Sequence, residues 1–296
     1  MFTLPVVRLR ALTRGLRVKL IVVALGLLAS IDPLSAGALQ YTYFSDPSAG
    51  PGGQTDFFAV DDAGIVYGKY LSAGGSAWTV FTYQNGVTHD VASGIYPFGA
   101  NDLGVAVGGQ SILNADGSIT TSPLCCFADI NDSGLMVGSL GAHAGMAVNG
   151  VWQDLGLPYL QSFATGVNDL GQIVGYYWDG VSPSRGFLWQ NGAFITVVSP
   201  LGEPIININD LGQMVADDYF FDGSAWINIS QPATGWAMQL QDLNDLGVMV
   251  GHNGNQGVII TPASVPEPGT WLLAGLGLLS TVVSKRSWRS SLLKKP

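Results

Sequence analysis

Six aspartates recur through this 296-residue chain in one local setting, Asx-Asp-x-Gly followed by an apolar run. They are Asp62, Asp102, Asp132, Asp169, Asp210 and Asp245, each two residues ahead of a glycine: Gly64, Gly104, Gly134, Gly171, Gly212 and Gly247. Two chemistries fit this setting. One is local: Asn and Asp side chains bond to nearby backbone and start turns, and glycine accepts the left-handed conformation that closes a bulged hairpin. The other is collective. If the six turns lie on one face of a closed repeat, their carboxylates form a ring that would hold a cation such as calcium or face a sugar. Turn chemistry is the favoured reading, and no other cofactor is expected.

Little else in the chain has the spacing of a catalytic or metal site. His89, His143 and His252 lack metal-ligand spacing with one another or with a cysteine. There is no H-E-x-x-H, G-x-S-x-G or Walker loop. Glu203 and Glu267 are the only glutamates. Asn114-Ala115-Asp116-Gly117-Ser118 lacks the remaining ligands of a calcium loop and reads as an Asp-Gly turn. Cys125 and Cys126 are adjacent, so they cannot join distant segments; buried thiols, a strained vicinal disulfide or a bond to a second chain remain open. Trp78, Trp152, Trp189 and Trp226 recur near strands and read as packing rather than as a sugar platform. The expectation is a non-enzymatic protein. A secreted carbohydrate-active enzyme would instead need two placed carboxylates converging in a central channel. A carbohydrate-binding module would need a row of solvent-facing aromatics.

The elements that position these residues are strands. The marker glycines are 40, 30, 37, 41 and 35 residues apart. Apolar segments flank each marker, as Phe163–Val167 and Gln172–Tyr177 do. Many units then carry a second hairpin through Asn85-Gly86, Asn149-Gly150, Asn191-Gly192 or Asp222-Gly223, and Asn-Gly is the strongest short hairpin signal. Each unit therefore holds about four strands in roughly 40 residues, the size of a propeller blade. The expected fold is all-β and β-propeller-like, with about six four-stranded blades over residues 39–264. The sixth unit stops after its third strand, Val258–Thr261. Tyr41–Phe44 at the other end looks like an orphan fourth strand, and its docking there would close the ring and remove two sheet edges. The alternatives are an open repeat array or a large sandwich.

The two ends read as signals. Arg8, Arg10, Arg14, Arg17 and Lys19 precede an apolar helix at Leu20–Ala29, and Ala36-Gly37-Ala38 is a cleavage site. Residues 1–38 are thus expected to be a signal peptide for the general secretion machinery, with a lasting N-terminal anchor as the alternative. At residues 265–296, Pro266-Glu267-Pro268 leads into an apolar helix and then Lys285-Arg286. Trp271–Ser284 would span roughly 21 Å as helix. That is short for a bilayer core of roughly 30 Å, so a transient transmembrane stop is expected rather than a durable anchor. Ten of the twelve basic residues lie in these two ends. Between Leu39 and Val265 only Lys69 and Arg185 are basic, while all the acidic residues except Asp32 and Glu267 fall there, a net charge of −17. Nucleic acid is excluded as a partner, because phosphate binding needs Lys and Arg.

The C-terminal arrangement resembles the PEP-CTERM sorting signal of Gram-negative bacteria. The resemblance implies that an exosortase in the inner membrane recognises Pro266, Glu267 and Pro268 and cuts nearby. The protein would pass transiently through the membrane to the cell surface, the extracellular matrix or the medium, with exopolysaccharide as a partner. The repeats resemble the HAF-type extracellular repeat, with His143-Ala144 and Arg185-Gly186-Phe187-Leu188-Trp189 where its name motif falls. That resemblance implies export and a repeat fold, with no defined activity.

Overall fold

A computed structural model describes residues 39–124, 126–180, 184–230 and 238–262. Ala36, Ala38, Cys125, Pro266, Glu267, Pro268, Lys285 and Arg286 lie outside the described residues, as do both expected terminal helices.

The strands form six four-stranded antiparallel sheets in a closed ring. Blade 1 comprises Gln54–Val60, Val66–Leu71, Thr79–Gln84 and Val87–Ser93; blade 2 comprises Gly99–Ala100, Ala106–Gly108, Ser111–Leu113 and Ile119–Thr121. Blade 3 comprises Phe127–Ile130, Met136–Leu140, His143–Val148 and Val151–Asp154; blade 4 comprises Gln161–Val167, Ile173–Trp178, Arg185–Gln190 and Ala193–Val197. Blade 5 comprises Asn207–Ile208, Met214–Ala216, Tyr219–Phe221 and Trp226–Asn228. Blade 6 comprises Met238–Leu243, Met249–Asn253 and Gln256–Pro262, and Leu39–Phe44 adds its outermost strand. The clasp expected from the orphan segment is therefore present, with Leu39 opposite Pro262 and Phe44 opposite Gly257.

Local chemistry explains the turns. Asn85, Asn149 and Asn191 have φ of 51°, 52° and 52°, and the glycine after each is also left-handed, as a two-residue hairpin requires. Gly117 closes the Asn114–Ser118 segment as a turn, with Asp116 Oδ1 accepting from Ser118 N–H at 2.9 Å.

The core lies between sheets, with one apolar cluster at each of the six seams. Phe57 and Phe81 pack towards blade 6 and Val250, whereas Phe58 and Val80 pack towards blade 2 and Ala106. Alternation along a strand thus feeds two different seams. A register shift between Phe57 and Ala59 accompanies this change of face, and equivalent shifts occur in blades 3, 4 and 6.

The second strands carry a tighter constraint. A Cβ at Gly175 would run into the Phe163 carbonyl oxygen, and Gly138 and Gly251 face the same obstacle from Cys126 and Gln239. Gly175→Ala is expected to cost about 3 kcal/mol through overpacking against backbone. Gly171→Ala, where the added Cβ meets open space and only the left-handed φ is strained, should cost about 1 kcal/mol. Urea denaturation of the two variants measures the difference.

Candidate functional site

The inner strands surround a central channel whose mouth opens among the six marker turns. Each turn is built the same way. In blade 4, Gly171 N–H donates to Asn168 O at 3.1 Å, and Gln172 N–H donates to Asn168 Oδ1 at 2.9 Å. The second of these bonds recurs in all six blades, from Ile65, Val105, Leu135, Gln172, Gln213 and Val248. The Asx side chain thus reaches four residues along the chain; Asn209 and Asn244 add the shorter bond two residues on.

The aspartates do form a ring, and it is a hydrogen-bonded one. Asp62 N–H donates to Asp102 Oδ1 at 3.0 Å, Asp102 to Asp132 at 2.9 Å and Asp132 to Asp169 at 2.8 Å. Asp169 donates to Asp210 at 2.8 Å, Asp210 to Asp245 at 2.9 Å, and Asp245 back to Asp62 at 2.9 Å. Each carboxylate therefore caps the turn of the preceding blade as well as belonging to its own. Desolvation, and then the charges of the neighbouring carboxylates, raise Asp132; Asp102 and Asp245 are also raised, chiefly by desolvation. Among the described residues, no group of three or more His, Cys, Asp or Glu is arranged to hold a metal ion.

A second ring lies just beneath. Asn101, Asn131, Asn168, Asn209 and Asn244 each donate Nδ2–H to the backbone carbonyl of the next blade's marker, at 2.9–3.1 Å. The sixth position is Asp61. Its Oδ1 accepts from Ile65 as the asparagines' Oδ1 atoms do, so its second oxygen stands where the others carry an NH₂. Burial raises the Asp61 carboxyl, with the Asp102 charge adding to it. Asp61→Asn is expected to close this ring and raise stability by about 1 kcal/mol at pH 7.5, the net worth of one hydrogen bond. The gain should be smaller at pH 5 than at pH 7.5, because burial raises the Asp61 carboxyl and any protonation lets its second oxygen donate. Thermal melts at the two pH values check it.

Below both rings, the position two before each marker supplies polar residues that line the channel in three blades, Asp129, Asn207 and Asp242. Around the ring it reads Ala59, Gly99, Asp129, Gly166, Asn207, Asp242. Asp129 and Asp242 come from opposite blades, and both are buried. Asp242 Oδ1 accepts from Asn207 Nδ2 at 2.7 Å and Leu243 N–H at 2.8 Å, and its Oδ2 accepts from Val60 N–H at 2.8 Å. Asp129 Oδ2 accepts from Val167 N–H at 2.9 Å. Gly99 and Gly166 are small for a reason: a Cβ there would strike Asp129 and Asn207 respectively. Burial pushes Asp129 up to about 7. Asp242 is held well above the usual carboxylate range by burial and then by the Asp129 charge. The water-sized space left in the channel is about 100 Å³.

The face opposite the marker turns carries the second unusual side chain. Lys69 is buried; its Nζ lies 3.6 Å from the centre of the Tyr96 ring and donates to Pro97 O at 3.2 Å. Phe58, Phe98 and Trp78 complete an aromatic cage at 5.3–5.8 Å. Burial lowers the ammonium to about 8, with the Asp56 charge opposing that shift. Trp78, Tyr96 and Phe98 stand edge to face, and Tyr96 and Phe98 are exposed. Trp152, Trp189 and Trp226 pack against blade seams as expected. His89, His143 and His252 sit in blades 1, 3 and 6, and none joins the channel. Sequence reasoning missed the Asp129–Asn207–Asp242 set. Aligning the repeats on their glycines exposes it as polar residues in otherwise apolar strands.

Comparison with known proteins bears on the C-terminus. Residues 264–287 match the PEP-CTERM protein-sorting motif. This chain carries a sorting signal of the kind that directs export out of the cytoplasm. No curated protein matches the chain. Among solved structures a streptogramin B lyase is similar over 75% of this chain and 97% of its own, with 12% identity and a TM-score of 0.44. That degree of likeness transfers no chemistry. Among the described residues no helix is long and apolar enough to cross a membrane.

Proposed function

We propose that this is a surface or exopolysaccharide-matrix protein whose propeller acts by binding or assembly rather than by catalysis. It is delivered by a signal peptide ending near Ala36–Ala38 and sorted through Pro266, Glu267 and Pro268. Its C-terminal helix and Lys285-Arg286 stop hold it transiently in the inner membrane while an exosortase cuts. The sorting-motif match at residues 264–287 carries this reading. The HAF-like repeats and the acidic, cation-poor domain support it. The test is the intact mass of the protein in fractions of its host. A surface or medium form from about residue 39 to near residue 266 supports the reading. A chain that keeps its C-terminal segment and stays with the membrane overturns it in favour of a plain anchor.

A second reading, a carbohydrate-binding module, draws on Trp78, Tyr96 and Phe98, a short row of aromatics on the face opposite the marker turns. Quenching of tryptophan fluorescence by host exopolysaccharide, lost in Tyr96→Ala, would favour it. The enzyme reading gains an acidic pair in the channel but meets a space of about 100 Å³, against the several hundred of small-molecule sites. The aspartate ring is read as turn chemistry, because every Oδ1 already accepts a neighbour's N–H. Calcium uptake there would appear as heat in a calorimetric titration.

A further inference from the structure

The third residue of the marker is leucine in four blades, and each of these side chains is left in solvent. Leu103, Leu170, Leu211 and Leu246 are 61%, 60%, 64% and 67% exposed. Ala63 and Ser133 occupy the position in blades 1 and 3. Nothing in the turn asks for leucine there, since such turns favour Gly, Asn, Asp and Ser. The four side chains sit in the marker turns of blades 2, 4, 5 and 6, on the face where the channel opens, and none lines the channel itself.

The chain also leaves the propeller on this face. Pro262 pairs with Leu39, and a Cβ on Gly247, the marker glycine of blade 6, would lie 3.3 Å from the Pro262 ring. Pro266 is four residues beyond Pro262, a reach of roughly 14 Å at full extension, and Trp271 is nine residues beyond, roughly 32 Å. A bilayer holding the apolar stretch from Trp271 onwards therefore has the marker face as its nearest part of the fold.

We propose that the marker face is a lipid-contacting surface. While the sorting segment is attached, the leucines at positions 103, 170, 211 and 246 rest in the membrane interface, and cleavage frees them. The inference rests on the sorting reading above. Lipid is favoured over a protein partner because the tether brings a bilayer to this face. The net charge of −17 directs the contact to zwitterionic rather than anionic headgroups.

The exported form that keeps its sorting segment, residues 39–296, reconstituted with phosphatidylethanolamine–phosphatidylcholine vesicles, tests both readings separately. Flotation reports whether the C-terminal segment holds the chain to lipid. A photoreactive probe in the lipid interface, mapped by peptide mass spectrometry, reports which face lies against it. Labelling at the four marker turns is expected to exceed that at Leu160 and Leu201, which are as exposed on the opposite face, by about tenfold. Changing all four leucines to serine should abolish the excess while flotation and the melting transition persist. Flotation without marker-face labelling overturns the membrane-facing surface and leaves the sorting reading standing. Failure to float overturns both.

Discussion

Lowering the pH from 7.5 to 5 is expected to raise the melting temperature by roughly 5–10 °C, the reverse of ordinary acid denaturation. The channel pair is the cause. The Asp129 carboxyl is pushed up to about 7 from an unperturbed 3.8. Between those values the folded state holds a proton that the unfolded chain has lost. Stability therefore falls as pH rises from about 4 to 7 and is fully recovered below about 4. Two units of that range correspond to about 3 kcal/mol for Asp129 alone. Asp242 shifts in the same direction, as do Asp61, Asp102 and Asp245, each led by desolvation. Asp116 and Asp222 are lowered, but they lie in exposed hairpin turns and oppose this weakly. Relief of repulsion in a domain of net charge −17 adds to the gain. Asp129→Asn keeps an acceptor for Val167 N–H and removes the charge. It should melt higher than the unaltered chain at pH 7.5 and show a flatter pH profile. Calorimetric scans of both proteins decide the matter: a melting temperature that falls on acidification, equally in the variant, would refute the assignment.

Removing Leu39–Phe44 is expected to abolish cooperative folding of the ring. This strand pairs with blade 6 over six residues and ties it to both neighbours. Tyr41 Oη donates to Ile229 O at 3.0 Å beside blade 5, while Phe44 stacks on Phe57 of blade 1 at 5.7 Å and lies 4.7 Å from Tyr83. Leu39 is buried in the seam between blades 5 and 6. Leu39 is buried and Tyr41 and Phe44 are half-buried, so at about 1.5–3 kcal/mol for a fully buried large apolar side chain the three together supply a large share of the net stability of an ordinary domain. The deletion also leaves the edge of Gln256–Pro262 open for pairing with other chains. Urea titration and gel filtration should show a broad, low-midpoint transition and soluble oligomers. Phe44→Ala, which keeps the backbone ladder, should lose about 3 kcal/mol and retain one sharp transition. A deleted chain that remains monomeric with an unchanged midpoint would refute the closure role.

The fold was legible because its determinants are local. Asx-Asp-x-Gly and Asn-Gly fix hairpins within a few residues, and their repetition counts the blades. A missing fourth strand at one end and a spare one at the other then point to the clasp. Even the position of the aspartate ring followed from equivalence of the turns. Three things were decided only by closure. The ring's bonding is one, since each aspartate's partner is in the next blade and no local signal reports it. The glycines of the second strands are another; Gly175 is required by the Phe163 carbonyl that the bulged inner strand thrusts against it. The last is the acidic pair. Asp129 and Asp242 belong to blades 3 and 6, and only a closed ring sets them across one narrow channel. There, lost hydration, joined for Asp242 by the Asp129 charge, raises both carboxyls against the hydrogen bonds they accept.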